Sequence, residues 1–564
     1  MFRRFLLLLL IAVINLLNSS ESLLAGERPN VLLICVDDLK PIAGCFGGTA
    51  KTPHIDRLAA RGLRFDRAYC NQAVCSPSRN ALLTGLRSET LGIYDLGTNF
   101  RKARPDAVTL PQAFFKAGYT TESLGKIFHV GHGNTDDRAS WSIAAWRANV
   151  VAYHLPESKA PSGLTREEAL FSNQPAAGLP RGAAYESADV ADNVYPDGAL
   201  ADETVRRLQE KAQSHEKPFF MAVGFVKPHL PFCAPQKYWD LYKSHELALP
   251  EFTSPPDGAP EYAPTGWGEL RQYKGMPAQE KLTEEQQRTL IHGYHAATSF
   301  MDAQLGRILD CLDETGLAKN TIIVFWGDHG WHLGDHGMWC KHSNYEQAAR
   351  IPVVVVVPGK TPGRSTSSLI ESVDIYPTLC ELAGAEIPES LDGRSLTPLL
   401  DDATASVKDH ILHVYPRGNR MGRAVRTDRW RLVEWKPIGS PPEDAELELY
   451  DYQDDPAETR NLAAEHPDVI ASLRSILALH PDAKPQINLP VQMNNSKSEA
   501  GRKQDRGEMF DRRDKDQDGQ LTREEFLSNQ PDPDKAPARF TNFDADKNGM
   551  LSKEEFVLSG KVPR

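Results

Sequence analysis

Two short apolar runs, VLLICV (Val31 to Val36) and TIIVFW (Thr321 to Trp326), each stop at acid. Asp37 and Asp38 follow the first, and Gly327, Asp328 and His329 follow the second. Runs this short and apolar read as strands buried on both faces, the pattern of a parallel sheet covered by helices. Ligand sites in open α/β sheets gather at the carboxyl ends of strands, so the two acidic tips are expected to converge. Three carboxylates brought together repel one another unless a cation sits among them. An oxygen-rich set of this kind suits a hard ion such as calcium. Cys75 is expected beside it, and there a thiolate, which prefers soft metals, would be the wrong ligand unless its sulfur were replaced by an oxygen function.

The surrounding pattern supports the same fold class. From Arg28 to about Leu400 apolar strands alternate with helical stretches, as in an α/β domain on a mostly parallel sheet flanked by helices. HIDRLAARG (His54 to Gly62) reads as an amphipathic helix closed by glycine, and the strand-like LRFDRAYC follows it. Phe219 to Phe225 and Ile351 to Val357 are further buried-strand candidates, and Ser372 to Ala383 reads as a helix ended by Gly384. Residues 140–200 and 245–285, rich in Pro, Gly and polar side chains, are expected to be loops that wall a cleft.

At 564 residues the chain is too long for a single core. A formal net charge of −12 argues against a nucleic-acid surface. Residues 505–557 hold 14 acidic and 9 basic side chains, so a short C-terminal segment supplies much of the excess. The N-terminus places Arg3 and Arg4 before an apolar run from Phe5 to Leu17, which fits a signal peptide over residues 1–25 better than a spanning helix; an uncleaved anchor is the alternative. Export to the periplasm, the medium or the cell surface is the expectation, with no membrane attachment once the signal is removed. The eight cysteines show neither a disulfide-scaffold spacing nor a paired CxxC zinc motif, and Cys35 and Cys380 read as small core residues.

CSPSRNALLTG (Cys75 to Gly85) resembles the sulfatase signature: a Cys or Ser, then x, Pro, x, Arg, and a Thr-Gly pair a few residues on. The resemblance runs through LDGRSLTPLL (Leu391 to Leu400) and ELYDYQDDPAETRNLA (Glu448 to Ala463), and so covers nearly all of residues 28–465. It implies an alkaline-phosphatase-like catalytic domain over 28–402 and a smaller α+β subdomain over 403–489. In this family the cysteine is oxidised by a formylglycine-generating enzyme to Cα-formylglycine, whose hydrated aldehyde is the nucleophile. Carried onto this sequence, the metal ligands are Asp37, Asp38, Asp328 and His329, joined by the modified Cys75. Arg79 orients the nucleophile, Lys126 and Lys341 neutralise the sulfate oxygens, His129 supports the nucleophilic hydroxyl and His229 is the general acid. GKIFH, KPHLPF, GDHGWHLGDHGMWCKHSNY and RIPVVVVVPG resemble the iduronate-2-sulfatase branch in particular, where the Asp-His pair at 328 and 329 is typical. His332, Asp335, His336 and His342 of that segment could bind substrate or order the loop.

The implied activity is hydrolysis of sulfate monoesters on a sulfated carbohydrate, with a 2-O-sulfated uronate or related acidic sugar favoured. A phosphodiesterase or phosphonate hydrolase of the same superfamily is the second reading. A glycan-binding protein without activity is the third, if Cys75 stays a thiol.

Residues 490–504 are polar without an apolar period and read as a linker to an all-α EF-hand pair over 505–560. DKDQDGQLTREE (Asp514 to Glu525) and DADKNGMLSKEE (Asp544 to Glu555) repeat at an offset of 30 residues. Asp514, Asp516, Asp518, Gln520 and Glu525, then Asp544, Asp546, Asn548, Met550 and Glu555, stand at the ligand positions of calcium loops, with Gly519 and Gly549 at the sharp turns. Leu521 and Leu551 are placed to pair the loops, and Phe510, Phe526, Phe540 and Phe556 give the flanking helices an apolar face.

Overall fold

The computed structural model describes residues 28–487, apart from 151, 161–163, 172–177, 215–216, 267 and 361, and in the C-terminal segment residues 510, 513–514, 516, 518–528 and 536–558. The signal-peptide reading of residues 1–25 and the linker reading of 490–504 fall outside the described residues. Contacts divide the chain into two compact units, with the break between Ile487 and Asn488.

Among the described residues of the first unit, eight strands form the main sheet. They are β1 (Asn30–Val36), β2 (Leu63–Tyr69), β3 (Thr120–Gly125), β4 (Phe219–Phe225), β5 (Thr321–Gly327), β6 (Arg350–Val356), β7 (Arg364–Thr366) and β8 (Ile370–Glu371). Their order is β8-β2-β6-β5-β1-β4-β3, with β7 also paired to β2. All pairings are parallel except those of β6, which runs antiparallel to both β2 and β5. Sequence pattern predicts β6 as a buried strand but carries no sign of its direction.

The central strands are apolar on both faces because both faces are covered. Leu32, Ile34, Val36, Met221, Val223 and Phe325 pack into one core, and Val31, Leu33, Phe220, Ala222, Val324 and Trp326 into the other. The first core also takes Leu290, Tyr294, Ala297, Met301, Leu305 and Ile308, which recur at helical spacing along the 31-residue helix Glu284–Glu314. Thr283 opens that helix with a capping box, accepting from the Gln286 backbone N–H while the Gln286 side chain reaches back to the backbone N–H of Thr283. The helix predicted from His54 spans Pro53–Ala59, and the stretch from Ser372 begins as one 3-10 turn before the α-helix Ile375–Ala383.

Residues 140–200 depart from the loop expectation. They include a helical segment, Arg166–Phe171, a short strand, Tyr185–Ala188, which pairs with Phe232–Pro235, and the start of the helix Pro196–Gln213. Dense Pro and Gly obscure these elements in the sequence.

After the main sheet comes an antiparallel four-stranded meander, β9 (Ile411–Arg417), β10 (Arg420–Arg426), β11 (Trp430–Pro437) and β12 (Glu446–Asp451). Leu412, Val425, Leu432 and Leu449 on one face pack against Ile470, Leu473 and Leu477 of the helix Pro467–Leu477.

In the second unit two short strands, Gln520–Thr522 and Met550–Ser552, pair antiparallel with Leu521 opposite Leu551. Phe510, Phe526, Phe540 and Phe556 are buried together with those two leucines in a small core. The repeat thus behaves as one folded pair of loops.

Candidate active site

Register assembles the site. β1 and β5 are paired from Asn30 opposite Thr321 to Val36 opposite Gly327, so both strands end at one level. The backbone N–H of Asp328 donates to the carbonyl of Val36 at 3.0 Å, and that of Asp38 to Asp328 Oδ1 at 3.0 Å. β4 continues the row, with Phe225 beside Val36, and β3 sets Gly125 against Gly224. Lys126 follows β3 and His229 follows β4, so four adjacent parallel strands deliver side chains to one edge, as the strand-end rule requires.

Local backbone makes this delivery possible. Gly125 holds φ at 75°, a left-handed conformation that glycine adopts without cost, and so turns the chain toward the site. A Cβ on the facing Gly224 would lie 2.0 Å from the carbonyl oxygen of Lys126. Asp38 also sits at positive φ (58°), and the Tyr294 hydroxyl steadies it by donating to its carbonyl at 2.6 Å.

Cys75 is the first residue of the helix Cys75–Thr84, every residue of which is buried. The ligand atoms of Asp37, Asp38, Cys75 and His229 lie within 4.8 Å of one another, as do those of Asp37, Cys75, Asp328 and His329. The four ligand positions expected from the sequence therefore gather around the thiol. Arg79, fully buried one helical turn on, donates from Nε to Asp328 Oδ2 at 2.9 Å and from Nη2 to Asp37 Oδ1 at 3.1 Å. It also donates from Nη1 to the carbonyls of Lys126 and of Ile127, the latter at 3.2 Å. Lys126 Nζ pairs with Asp37 Oδ2, and Lys341 Nζ donates to Asp38 Oδ1 and Oδ2 at 3.0 and 3.2 Å.

The electrostatics follow from packing so much charge out of water. Burial alone would raise Asp37, but the charges of Lys126 and Arg79 outweigh it and hold the carboxyl well below its ordinary value. Asp328 goes the other way: burial and the nearby charge of Asp37 push its carboxyl well above the usual range despite Arg79. Burial and the charge of Asp37 also push the Cys75 thiol far up, so the sulfur stays protonated and weakly nucleophilic.

His329 reports on what the set can hold. Its Nδ1 lies 3.1 Å from the Gly330 carbonyl oxygen, which can only accept, so Nδ1 carries the proton in the neutral ring. Burial pushes its pKa down to about 3, which keeps the ring neutral. Nε2 then accepts from the protonated Cys75 thiol, with Sγ at 3.3 Å, and lies 3.3 Å from Asp38 Oδ1 and 3.6 Å from Asp328 Oδ1. Without the thiol proton this lone pair would face only carboxylate oxygens, and a cation between them would be held by all three groups. An imidazole whose second nitrogen donates to a backbone carbonyl is also the usual arrangement for a metal ligand.

A cavity of about 280 Å³ opens above this floor. Cys75, Lys126, His129, His229 and Lys341 all line it. His229 donates from Nδ1 to the Leu230 carbonyl at 2.5 Å, leaving Nε2 3.9 Å from Asp38 Oδ2, and burial together with the Lys341 charge pushes its pKa to about 3. His129 meets His132 (Nε2 to Nδ1, 3.3 Å) rather than the acids.

Of the four residues left open in the GDHG segment, three order the loop. His332 Nε2 bonds Ser343 Oγ at 3.0 Å, His336 Nε2 donates to the Ala457 carbonyl at 2.8 Å, and Asp335 pairs with Lys40 at 3.3 Å. His342 lines the cavity.

Sequence reasoning missed Glu269, whose carboxylate lies 3.3 Å from Lys341 Nζ and 3.7 Å from His229 Nε2. It belongs to one short 3-10 turn, Glu269–Gln272, with no periodicity around it in the sequence to mark it. None of the eight cysteines is disulfide-bonded. In the second unit, Asp514, Asp516 and Glu525 form one cluster of possible metal ligands, and Asp544, Asp546 and Glu555 another. Among the described residues, no helix is long and apolar enough to cross a membrane.

Known proteins share this organisation. Residues 29–385 match the sulfatase family, residues 334–480 the C-terminal family of N-sulphoglucosamine sulphohydrolase, and residues 507–528 and 538–558 the EF hand. Iduronate 2-sulfatase of Homo sapiens is 35% identical over 395 residues, which covers 64% of this chain and 70% of that protein. A protein solved in complex with its substrate D-glucosamine-2-N,6-O-disulfate superposes with a TM-score of 0.64 at 22% identity, over 80% of this chain and 97% of that one. The phosphonate monoester hydrolase of Silicibacter pomeroyi has the same fold, with a TM-score of 0.64 at 24% identity over 80% of this chain and 95% of that one. With acid-tipped strands, the CSPSR helix start and a cationic cavity joined at one sheet edge, the chain belongs to the sulfatase family and is a sulfuric ester hydrolase.

Proposed function

We propose that this chain is an exported sulfatase that removes sulfate from a sulfated carbohydrate, with a 2-O-sulfated uronate or a related acidic sugar as the preferred class. The observation that carries the reading is the meeting of Cys75 with Asp37, Asp38, Asp328 and His329 on the floor of a cavity walled by lysine and histidine. In the proposed organisation residues 1–25 direct export, 28–402 form the catalytic domain, 403–489 the C-terminal subdomain, 490–504 the linker and 505–560 the EF-hand pair.

A formylglycine hydrate derived from Cys75 would supply an oxygen nucleophile, and a divalent cation, calcium by the hardness of its ligands, would be held by Asp37, Asp38, Asp328 and His329 and would favour ionisation of that nucleophile. The donor set fits both. Three carboxylates and a neutral imidazole suit a hard ion better than a thiol does, and the buried Cys75 sulfur is held in its unreactive, protonated form. Arg79 fixes the positions of Asp37 and Asp328 through a charged fork. Lys126 and Lys341, with ammonium groups at the cavity floor, take two of the sulfate oxygens and stabilise the charge that grows on them. His229, its Nδ1 proton committed to Leu230, offers Nε2 to the leaving alcohol. A general acid there must be protonated, and both the incoming sulfate and Glu269 at 3.7 Å favour that state. His129 stands on the same wall and supports the nucleophile's hydroxyl.

The EF-hand loops hold calcium constitutively in an exported setting, stabilising or attaching the second unit. Two measurements test the reading. Intact mass should fall by roughly 18 Da when the Cys75 thiol becomes an aldehyde in cells that contain a formylglycine-generating enzyme. The matured protein should then turn over aryl sulfate faster than a phosphate diester. Faster diester turnover would transfer the proposal to the phosphonate hydrolases that share this fold, and full thiol mass in an active preparation would end the formylglycine mechanism.

A further inference from the structure

The turn that carries His229 is held from behind. The chain leaves β4 at Phe225 and enters the strand Phe232–Pro235, so residues 226–231 alone place the imidazole over the acids. Val226, His229 and Leu230 line the cavity, whereas Lys227, 4% exposed, is not among the lining side chains.

Asp197, in the first turn of the helix Pro196–Gln213, grips the start of this segment. Its carboxylate accepts from the backbone N–H groups of Val226 and Lys227 at 2.9 and 2.8 Å. Lys227 grips the rest: its ammonium donates to the carbonyl of His229 at 3.0 Å and to that of Pro231 at 2.5 Å. Between those two carbonyls in the chain stands that of Leu230, which accepts from His229 Nδ1 at 2.5 Å and so sets the direction of the ring. The lysine therefore fixes the peptides on both sides of the one that aims the imidazole. Nε2 is left 3.9 Å from Asp38 and 3.7 Å from Glu269, facing the reacting centre.

A buried cation is a costly way to hold a turn. Burial pushes the Lys227 ammonium pKa down, opposed by the charges of Asp197, Asp37 and Asp38. Neutral carbonyls offset the desolvation of an ammonium only in part, and an unbranched methionine would fill similar space without that cost. What the lysine adds is a pair of directional bonds that act on the orientation of His229.

We propose that Lys227 is a positioning residue for the reaction: through the carbonyls of His229 and Pro231 it holds the imidazole where Nε2 can protonate the leaving oxygen. This inference rests on the reading of His229 as the general acid. In that step the nucleophile's oxygen bonds to sulfur and the bond from sulfur to the leaving oxygen breaks. The electron pair of that bond stays on oxygen and takes the Nε2 proton, leaving an alcohol and a neutral imidazole.

The test reads the leaving group. Matured wild type, His229→Ala, Lys227→Met and the double variant are each given phenyl sulfates that run from 4-nitro, whose phenolate leaves without a proton, to 4-methoxy, whose oxygen needs one. General acid catalysis is worth about 10²- to 10⁴-fold, and a small misplacement can forfeit about 10²-fold of it. Lys227→Met should therefore lower kcat/KM for the 4-methoxy ester about 10-fold more than for the 4-nitro ester, steepening the dependence toward that of His229→Ala. Added to His229→Ala, it should change kcat/KM for the 4-methoxy ester less than about twofold, because residues that act as one unit are not additive. Should Lys227→Met not fold, Lys227→Gln, polar but uncharged, carries the same comparison. Equal loss on every ester, or a full additive loss in the His229→Ala background, would make Lys227 a structural residue only and overturn the proposal. If His229→Ala leaves the dependence as in wild type, the general acid is elsewhere, and the reading of His229 falls together with the proposal. Faster turnover of phosphate diesters would change the reaction class but not the comparison, which is then read on the matching methyl aryl diesters.

Discussion

At the ends of β1 and β5, Asp37, Asp38 and Asp328 are 0–1% exposed and already enclosed by Arg79, Lys126 and Lys341. In the second unit the loop acids lie nearer water and are tied to their own backbone. Asp514 accepts from the N–H groups of Asp518 and Gly519 at 3.1 and 2.9 Å, and Asp544 from those of Asn548 and Gly549 at 3.0 Å each. Both regions collect carboxylates that could hold a cation, but the first is fixed by the register of a large sheet and the second by the turn geometry of twelve residues. A fault in the first should therefore strike chemistry and the core together. A fault in the second should cost ion affinity and local order alone.

The strongest way to break that contrast is to remove one acid from each centre. Asp328→Asn should lower kcat/KM for a sulfate ester about 10³-fold, because Asp328 is the acceptor that holds Arg79 and is one of the proposed ligands of the cation. Asp544→Asn should leave kcat/KM within about twofold of wild type while weakening calcium binding by the second unit. Equal losses of activity from the two variants would show that the loops take part in catalysis and would abolish the distinction.

Next comes the counter-charge. Arg79→Gln removes a fully buried guanidinium that bridges two carboxylates, and the cost of leaving such charges unmatched is about 3–5 kcal/mol. Urea unfolding followed by tryptophan fluorescence should show this loss for the first unit. A loss below about 1 kcal/mol would mean that water or ions replace Arg79 freely, and that the strand-end centre is as open as the loops.

These expectations rest on parts of the molecule that differ in how legible they were. The ends of β1 and β5 could be read directly, because an apolar run stopping at acid is the local consequence of a strand leaving the core. The CSPSR helix start, the paired leucines and the four phenylalanines of the second unit were legible for the same reason: each lies within one element or repeat. Glu269 was not, since it reaches Lys341 across 72 residues of sequence from a turn without a pattern. The direction of β6 was equally hidden, because burial on both faces produces the same run of valines whichever way a strand points. Arg147, Arg166 and Arg181 look like ordinary surface arginines until the fold sets them on one cavity wall.

Acid titration sharpens the contrast at a position away from the metal ligands. Burial alone would raise the Glu371 carboxyl, but the charges of Arg87 and Lys408, at 2.7 and 2.6 Å, hold it well below its ordinary value. A carboxyl whose folded pKa is depressed contributes stability above its unfolded value of about 4.3, and that contribution is lost as pH falls toward the folded pKa. The urea midpoint of the first unit should therefore fall more steeply between about pH 5 and pH 3 in wild type than in Glu371→Gln. Parallel slopes would mean that this buried pair does not drive acid unfolding.

The smallest effect tests the claim that turn geometry alone fixes the loops. Gly519 and Gly549 hold φ at 83° and 84°, and neither has an atom within 4 Å of the position a Cβ would take. Gly519→Ala therefore meets no steric obstacle. Its cost is confined to forcing an L-residue into the left-handed region, about 1–2 kcal/mol. At about 1.4 kcal/mol per factor of ten, calcium affinity of the first loop should fall roughly 5- to 30-fold, with aryl sulfate turnover unchanged. Because the backbone N–H of residue 519 donates to Asp514 Oδ2 at 2.9 Å, relaxation out of the left-handed turn would also release the first acid of the loop. Gly549 makes the matching bond, its N–H donating to Asp544 Oδ2 at 3.0 Å, so Gly549→Ala should cost its own loop a similar loss of calcium affinity. Calcium titration of the two variants checks this, and a loss confined to one loop would mean that the left-handed glycine turn does not by itself set the affinity of a loop.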